Sequence, residues 1–245
     1  LPMLGTNVEK YVSNYTKYFK DNSAKATQQK SILDTAPRII IDKELGFISI
    51  GKTAKDADIV EDIYEHTIDV ILRAEALGGY QALSDKDIFD MEYWDLEQAK
   101  LRKGGKTPAF QGEIALITGA ASGIGKACVE SMLARGAAVI ALDINPAVET
   151  LFNRADVLGI SCDVANDQQL INAIKQGAAH FGGIDMLVLN AGIFPGGCRI
   201  DSLSSEEWRK VMNINLDANL ILLRECYPFL KLAPNGGRVV AMGSK

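Results

Sequence analysis

The chain has 245 residues, 47% hydrophobic and 23% charged, with a formal net charge of −5; this is the composition of an ordinary globular protein of one large or two modest domains. Neither half is basic, with 15 basic and 18 acidic side chains in residues 1–110 and 11 and 13 in the remainder, which argues against a nucleic-acid or anionic-membrane surface. No apolar run approaches the roughly 20 residues of a membrane span, and four scattered cysteines without a Cys-x-x-Cys pair read as reduced thiols in a cytoplasmic protein. No signal peptide is visible, and the first residue is Leu1 instead of Met, so a piece of a longer protein is expected.

Tyr11, Tyr15 and Phe19 recur at helical spacing and predict an amphipathic helix, followed by a loop over residues 21–36. Arg38–Ile41 and Phe47–Ile50 are short β-rich runs around a turn. Thr53 with Asp56 has the spacing of a capped helix start. Behind it Ile59, Ile63, Ile68, Ile71 and Ala74 form an apolar stripe to about residue 77, where Gly78 and Gly79 end the helix. A second helical stretch is predicted over residues 91–103. Residues 104–112 then read as a linker between a first domain, 1–103, and a second, 113–245. Gly46 to Thr53 also spells the phosphate-loop pattern Gly-x-x-x-x-Gly-Lys-Thr. Its interior is itself β-type and Thr53 is better used as a cap, so no nucleotide is expected there.

From residue 113 the pattern alternates. Strands are predicted at 114–118, 138–143, 157–162, 185–190 and 237–242, with helices at 123–135, 146–153, 166–180 and 205–230. Repeated β-α-β with strands rich in Val, Ile and Leu predicts an α/β fold built on a doubly wound, Rossmann-type parallel sheet. On the last helix Trp208, Val211, Met212, Leu216, Leu220 and Leu223 form a stripe expected in the core.

The chemistry concentrates where the first of these strands ends. Residues 118–125 read Thr-Gly-Ala-Ala-Ser-Gly-Ile-Gly. Gly119, Gly123 and Gly125 let backbone pass close to a pyrophosphate, and the helix start at Ser122, Gly123 and Ile124 offers unpaired N–H groups and partial positive charge. Asp143 ends the second strand, 24 residues after Gly119. A carboxylate there accepts from both hydroxyls of an adenosine ribose and repels a 2′-phosphate. Ile144 and Ser122 provide no cation for that phosphate, so NAD is expected over NADP.

Cys162-Asp163-Val164 closes the third strand and Asn190-Ala191-Gly192 the fourth; Asn213-Ile-Asn215-Leu follows on a helix, and Gly237-Arg-Val-Val-Ala-Met-Gly-Ser244 on the fifth strand. As an ordered set over about 112–245 these motifs resemble the short-chain dehydrogenase/reductase family. The resemblance implies hydride transfer between nicotinamide and a carbinol or carbonyl carbon. It assigns Asp163 and Val164 to the adenine, Asn190, Ala191 and Gly192 to the cofactor strand end, Asn215 to a proton-relay water and Ser244 to the substrate oxygen. The family's Tyr-x-x-x-Lys pair is expected about a dozen residues after Ser244, and the chain ends at Lys245. The string Tyr227-Pro-Phe-Leu-Lys231 lies before the fifth strand and is read as packing plus a solvated lysine. The resemblance also gives the helix at 205–230 a dimer face, compatible with a homo-oligomer.

Arg38–Ile41, Gly46–Ala57 and Ile63–Val70 resemble the end of a class II aldolase-type domain, and Ala74–Tyr80 with Phe89–Leu101 extend the likeness. More narrowly, they resemble bifunctional aldolase/short-chain dehydrogenases of the rhamnulose-1-phosphate aldolase-like kind. The whole chain then reads as an internal fragment, with a small α+β aldolase remnant before a Rossmann sheet incomplete at its C-terminal end. That resemblance implies a place in rhamnose catabolism and a small alcohol or aldehyde substrate such as lactaldehyde. His66 and His180 are the only histidines and lie in different halves, so no metal site is expected. The competing reading is an inactive dinucleotide-binding or assembly module.

Overall fold

The computed structural model describes residues 1–26, 28–101 and 107–243. Residues 104–106 of the expected linker, and Ser244, lie outside the described residues. The chain divides into two compact units, Leu1–Thr107 and Pro108–Lys245.

The first unit contains a three-stranded sheet. Strand β1 (Met3–Leu4), which the sequence reading missed, runs parallel to β2 (Ile39–Asp42), and β3 (Gly46–Ser49) pairs antiparallel with β2. Helix α1 (Val8–Ser23) extends into the expected loop. Thr53 caps α2 (Ala54–Ala76) as expected, its Oγ1 accepting from the Asp56 amide at 3.1 Å. Because β3 occupies the interior of the phosphate-loop string, no loop is left to wrap an anion. Two short helices, α3 (Asp85–Glu92) and α4 (Asp95–Leu101), replace the single stretch expected at 91–103. Ser84 caps α3, and the break falls at Tyr93.

Tyr93 breaks the helix to enter the core of this unit. Tyr15 and Tyr93 are buried, and the Phe89 and Tyr93 rings stack with centroids 4.6 Å apart. Tyr15 Oη donates to Glu92 Oε1 at 2.8 Å, so the 2.8 Å bond between the two phenols must be donated by Tyr93. Tyr18 adds a second phenol to Glu92 Oε2 at 3.3 Å. Burial and the facing carboxylate push the Tyr15 and Tyr18 phenols above their ordinary 10.0.

The second unit is the expected parallel sheet. Its strands are β4 (Ile114–Thr118), β5 (Ala138–Asp143), β6 (Val157–Ser161), β7 (Met186–Leu189) and β8 (Arg238–Ala241), in spatial order β6-β5-β4-β7-β8. Helices α5 (Gly123–Ala134), α6 (Val148–Leu151) and α7 (Asp167–Phe181) join the first strands. The middle strands are buried on both faces: Leu116, Ile140 and Leu187 belong to one apolar cluster, while Ile117, Val139 and Val188 belong to another. At the N-terminal edge of the sheet, buried Glu113 accepts from Asn235 at 2.7 Å and pairs with Arg238, tying the start of β8 to the start of β4.

The long helix expected at 205–230 is interrupted. Helix α8 (Ser205–Met212) passes through one π turn, Asn213–Asp217, into α9 (Ala218–Leu230). The extra residue of a π turn rotates the apolar face. As a result Trp208, Leu216, Leu220 and Leu223 are exposed, and Ala218, Ile221, Leu222 and Cys226 fill the core instead. Of the stripe expected in the core, only Val211 and Met212 are half-buried.

Candidate functional site

In an open α/β sheet the binding crevice lies at the C-terminal ends of the strands where the strand order reverses. Here the chain winds outward from β4 through β5 and β6, then returns to β7 on the other side of β4. The crevice therefore falls between the turn after β4 and the loop after β7.

The glycine turn occupies that place. Gly119 and Gly123 have φ of +67° and +53°, backbone geometry that favours glycine. Gly125 is required for space, since a Cβ there would lie 1.9 Å from the Gly119 carbonyl oxygen. The first helical bond of α5 runs from the Lys126 amide to the Ser122 carbonyl at 3.1 Å, so the amides of Gly123, Ile124 and Gly125 precede the ladder. Ser122 is the N-cap residue, yet its hydroxyl makes no capping bond. Free donors, a free hydroxyl and the positive end of a helix dipole make an anion cradle. Beside Gly123 a Cβ would meet nothing within 4 Å, so the cradle is open.

Asp143, at the end of β5, faces this turn. Its Oδ2 accepts from the Ala121 amide at 2.8 Å and its Oδ1 from Asn145 at 2.9 Å. Each oxygen keeps a lone-pair direction for a hydroxyl donor. Ile124 and Ile144 are 60% and 68% exposed, providing apolar flanks beside the polar atoms. After β6, Asp163 is held by an Asx turn to Ala165 (2.9 Å), and its own amide donates to Gln169 Oε1 (3.0 Å). Val164 is buried in the core, so at this position only the backbone is available to a ligand.

The β7 end is bonded to the β4 turn. Thr118 Oγ1 accepts from the amides of Asn190 (3.0 Å) and Ala191 (2.9 Å). Asn190 Nδ2 donates to the Thr118 carbonyl at 2.9 Å and covers Gly119 and Gly125. Thr118 is the residue missing from the sequence-derived site; the signal was a threonine immediately before the first glycine. One step further, Asn215 clamps the loop with both amide atoms. Its Oδ1 accepts from the Ile193 amide and its Nδ2 donates to the Ile193 carbonyl, each at 2.9 Å. Gly192 passes close to the same side chain, and the Asn215 carbonyl accepts from Asn219 Nδ2 at 2.8 Å.

The remaining candidates fall elsewhere. Ser244 lies outside the described residues. Tyr227 and Lys231 sit at the C-terminal end of α9, where Gly237, just before β8, packs against the Leu230 carbonyl; this is the edge of the sheet opposite the glycine turn. Cys162 and Cys226 are buried, which pushes their thiols up to about 11 and about 12. Among the described residues, no group of three or more His, Cys, Asp or Glu is placed to hold a metal, and no helix is long and apolar enough to cross a membrane.

Residues 113–245 match the family model described as short chain dehydrogenase. The chain belongs to that family. Residues 2–101 match a second model, aldolase class II, second domain. The uncharacterized oxidoreductase YuxG of Bacillus subtilis is 30% identical over 251 residues, covering 99% of this chain and 36% of that one. Elsinochrome reductase 1 of Elsinoe fawcettii is 32% identical over 145 residues, 56% of this chain and 53% of its own. Human 15-hydroxyprostaglandin dehydrogenase [NAD(+)] is 38% identical over 113 residues, 43% of this chain and 39% of its own. The chain thus spans from 36% to 53% of the length of these curated relatives. Oxidoreductase chemistry is common to all three names.

Proposed function

We propose that residues 113–245 bind NAD and belong to an oxidoreductase that exchanges a hydride between the nicotinamide and a small alcohol or aldehyde. The observation that carries the cofactor reading is Asp143, whose carboxylate is bonded to the glycine turn at Ala121 and flanked by exposed Ile144. A dinucleotide fits the residues present: the α5 amides and Ser122 would take the pyrophosphate, Asp143 the adenosine ribose, and the Asp163 turn the adenine. The nicotinamide, when bound, supplies the site that accepts or gives up the hydride. The chain's own part is to hold the Ile193 loop through Asn215, to orient a substrate oxygen through Ser244, and to exclude a 2′-phosphate by charge. The name of the human relative, which specifies NAD(+), supports the same choice.

The substrate reading rests on the aldolase match of residues 2–101 and on YuxG, whose similarity runs through both units. An aldolase acting on a phosphorylated deoxy-ketose releases a small hydroxyaldehyde such as lactaldehyde, the size of substrate a coupled dehydrogenase would take.

Thermal unfolding tests the cofactor reading directly. A ligand at 100 times its Kd stabilises by about 2.7 kcal/mol, so NAD should raise Tm at concentrations where NADP does not. Asp143→Asn should narrow the difference and Gly125→Val should abolish both shifts. An NADP shift equal to or larger than that of NAD overturns the role given to Asp143.

A further inference from the structure

The strand that leads to Ser244 has no register signal in its own apolar pattern. After Arg238, β8 reads Val239-Val240-Ala241, and Met242 follows. Register is specified where one face of a strand differs from the other, and here both faces are apolar. Sliding β8 along β7 by one residue, about 3.3 Å, exchanges valine for valine. Two glycines, Gly236 and Gly237, precede the strand and give its entry little stiffness.

One polar side chain on β8 is matched across the sheet. Strand β8 pairs with β7, Arg238 lying opposite Met186 and Val240 opposite Val188. The Arg238 guanidinium nevertheless reaches past β7 to Glu113, the residue before β4. Glu113 is a fixed post: its amide donates to the Phe110 carbonyl at 3.0 Å and its carbonyl accepts from the Ala138 amide at 2.9 Å. Its side chain is only 4% exposed, and its other oxygen accepts from Asn235. The Phe110 ring lies beneath the guanidinium, 5.5 Å from its centroid to Arg238 Cζ. Asp185 completes the corner. Its Oδ2 accepts from the Ile114 amide at 2.8 Å, and its carbonyl accepts from the Arg238 amide at 3.0 Å. One cation thus stands beside two buried carboxylates.

This pair is not built for stability. A guanidinium can hold a carboxylate by two parallel bonds; here Nη2 makes the bond to Glu113, while Nε is buried without a partner. A buried ion pair contributes little net stability over apolar side chains of similar size, yet removing one partner is costly. A one-residue slip of β8 would carry Arg238 to the opposite face. A two-residue slip would keep the face but move Arg238 about 6.6 Å along the sheet, out of reach of Glu113. Either slip leaves Glu113 and Asp185 buried without their cation.

The geometry points to Glu113 and Arg238 as the residues that fix the register of β8, and so as positioning residues for Ser244, six residues beyond Arg238. The register assignment needs no cofactor. Its consequence for Ser244 rests on the oxidoreductase reading above, in which a misplacement of about 1 Å can cost about a hundredfold in rate.

The test uses the full chain and compares Arg238→Met with the double variant Glu113→Met, Arg238→Met. Denaturant titration reads stability. Backbone nuclear Overhauser contacts between β7 and β8 read register, with Leu187 opposite Val239 and Val188 opposite Val240 in the parent. Arg238→Met leaves Glu113 buried and unpaired, and should lower the second unit's folding constant by about a hundredfold. The double variant should recover to within about tenfold of the parent. It should also show a second set of β7–β8 contacts, offset by one or two residues, and faster exchange of the Met242 amide, which donates to Leu189 in the parent. A single parental register in the double variant overturns the proposal, because apolar packing would then suffice. So does a double variant no more stable than Arg238→Met, since the pair would then serve stability alone. Neither readout involves NAD, so failure of the cofactor reading in the thermal test is separate from failure here.

Discussion

The two units of this chain are held together by different means. The second buries apolar strand residues on both faces of its sheet, and Leu116, Ile117, Ile140 and Leu142 are all fully buried. The first has few buried side chains, chiefly Met3, Tyr15, Ile39, Phe89 and Tyr93, and its longest helix buries none. Its centre relies on two phenols and a carboxylate joined by hydrogen bonds. Apolar burial is cumulative and needs no specific partner, whereas a polar network holds only while each member is satisfied. The second unit accordingly carries its glycine turn on a sheet buried on both faces.

Core truncation should expose this contrast most strongly. Leu116→Ala removes a fully buried strand side chain and should cost about 2–5 kcal/mol, read as loss of the second unit's unfolding transition by denaturant titration with the NAD shift lost alongside. A transition that moves by less than about 1 kcal/mol would mean the core collapses around the gap. In the first unit Tyr93→Phe leaves the ring stack in place and removes the donor to Tyr15. A typical net hydrogen bond is worth about 1 kcal/mol, so the first unit should unfold earlier by about that amount while the second is unmoved. Movement of both transitions together would show that the units unfold as one.

The smallest contrast lies at two helix starts. Thr53 accepts a capping bond, and Thr53→Ala should cost about 1 kcal/mol. Ser122 occupies the same position on α5 without such a bond, so Ser122→Ala should change stability by less than about 0.5 kcal/mol yet weaken the response to NAD. A full capping cost at Ser122 would mean its hydroxyl serves the helix and not a ligand.

Much of the second unit was legible because its signals are local and repeated. Apolar runs five residues long bounded by Gly, Asp or Asn mark buried strands, and a glycine turn between strand and helix admits few geometries. Two features were not legible. The π turn at Asn213–Asp217 adds one residue without altering composition, so a period of 3.6 read straight through it and placed Leu216, Leu220 and Leu223 in the core. Asn213 and Asn215, two poor helix formers separated by one residue, were the available clue. In the first unit the aromatic spacing gave α1, but not the contact between Tyr15 and Tyr93, which are 78 residues apart. The spacing likewise gave α2 its apolar stripe but not its exposure, since periodicity reports amphipathicity and not burial.

The bond from Ala121 to Asp143 has a consequence for anyone redesigning cofactor preference. The usual first step toward a 2′-phosphate is to delete the acidic side chain. Here the same atom that would repel the phosphate also secures the backbone of the glycine turn. Alanine at position 143 would remove both at once, leaving a looser cradle for either dinucleotide. Serine or asparagine keeps an acceptor for the Ala121 amide while discharging the site. On the proposed reading one carboxylate would serve both selectivity and turn geometry, and a change of preference would have to begin by replacing its bond to the Ala121 amide.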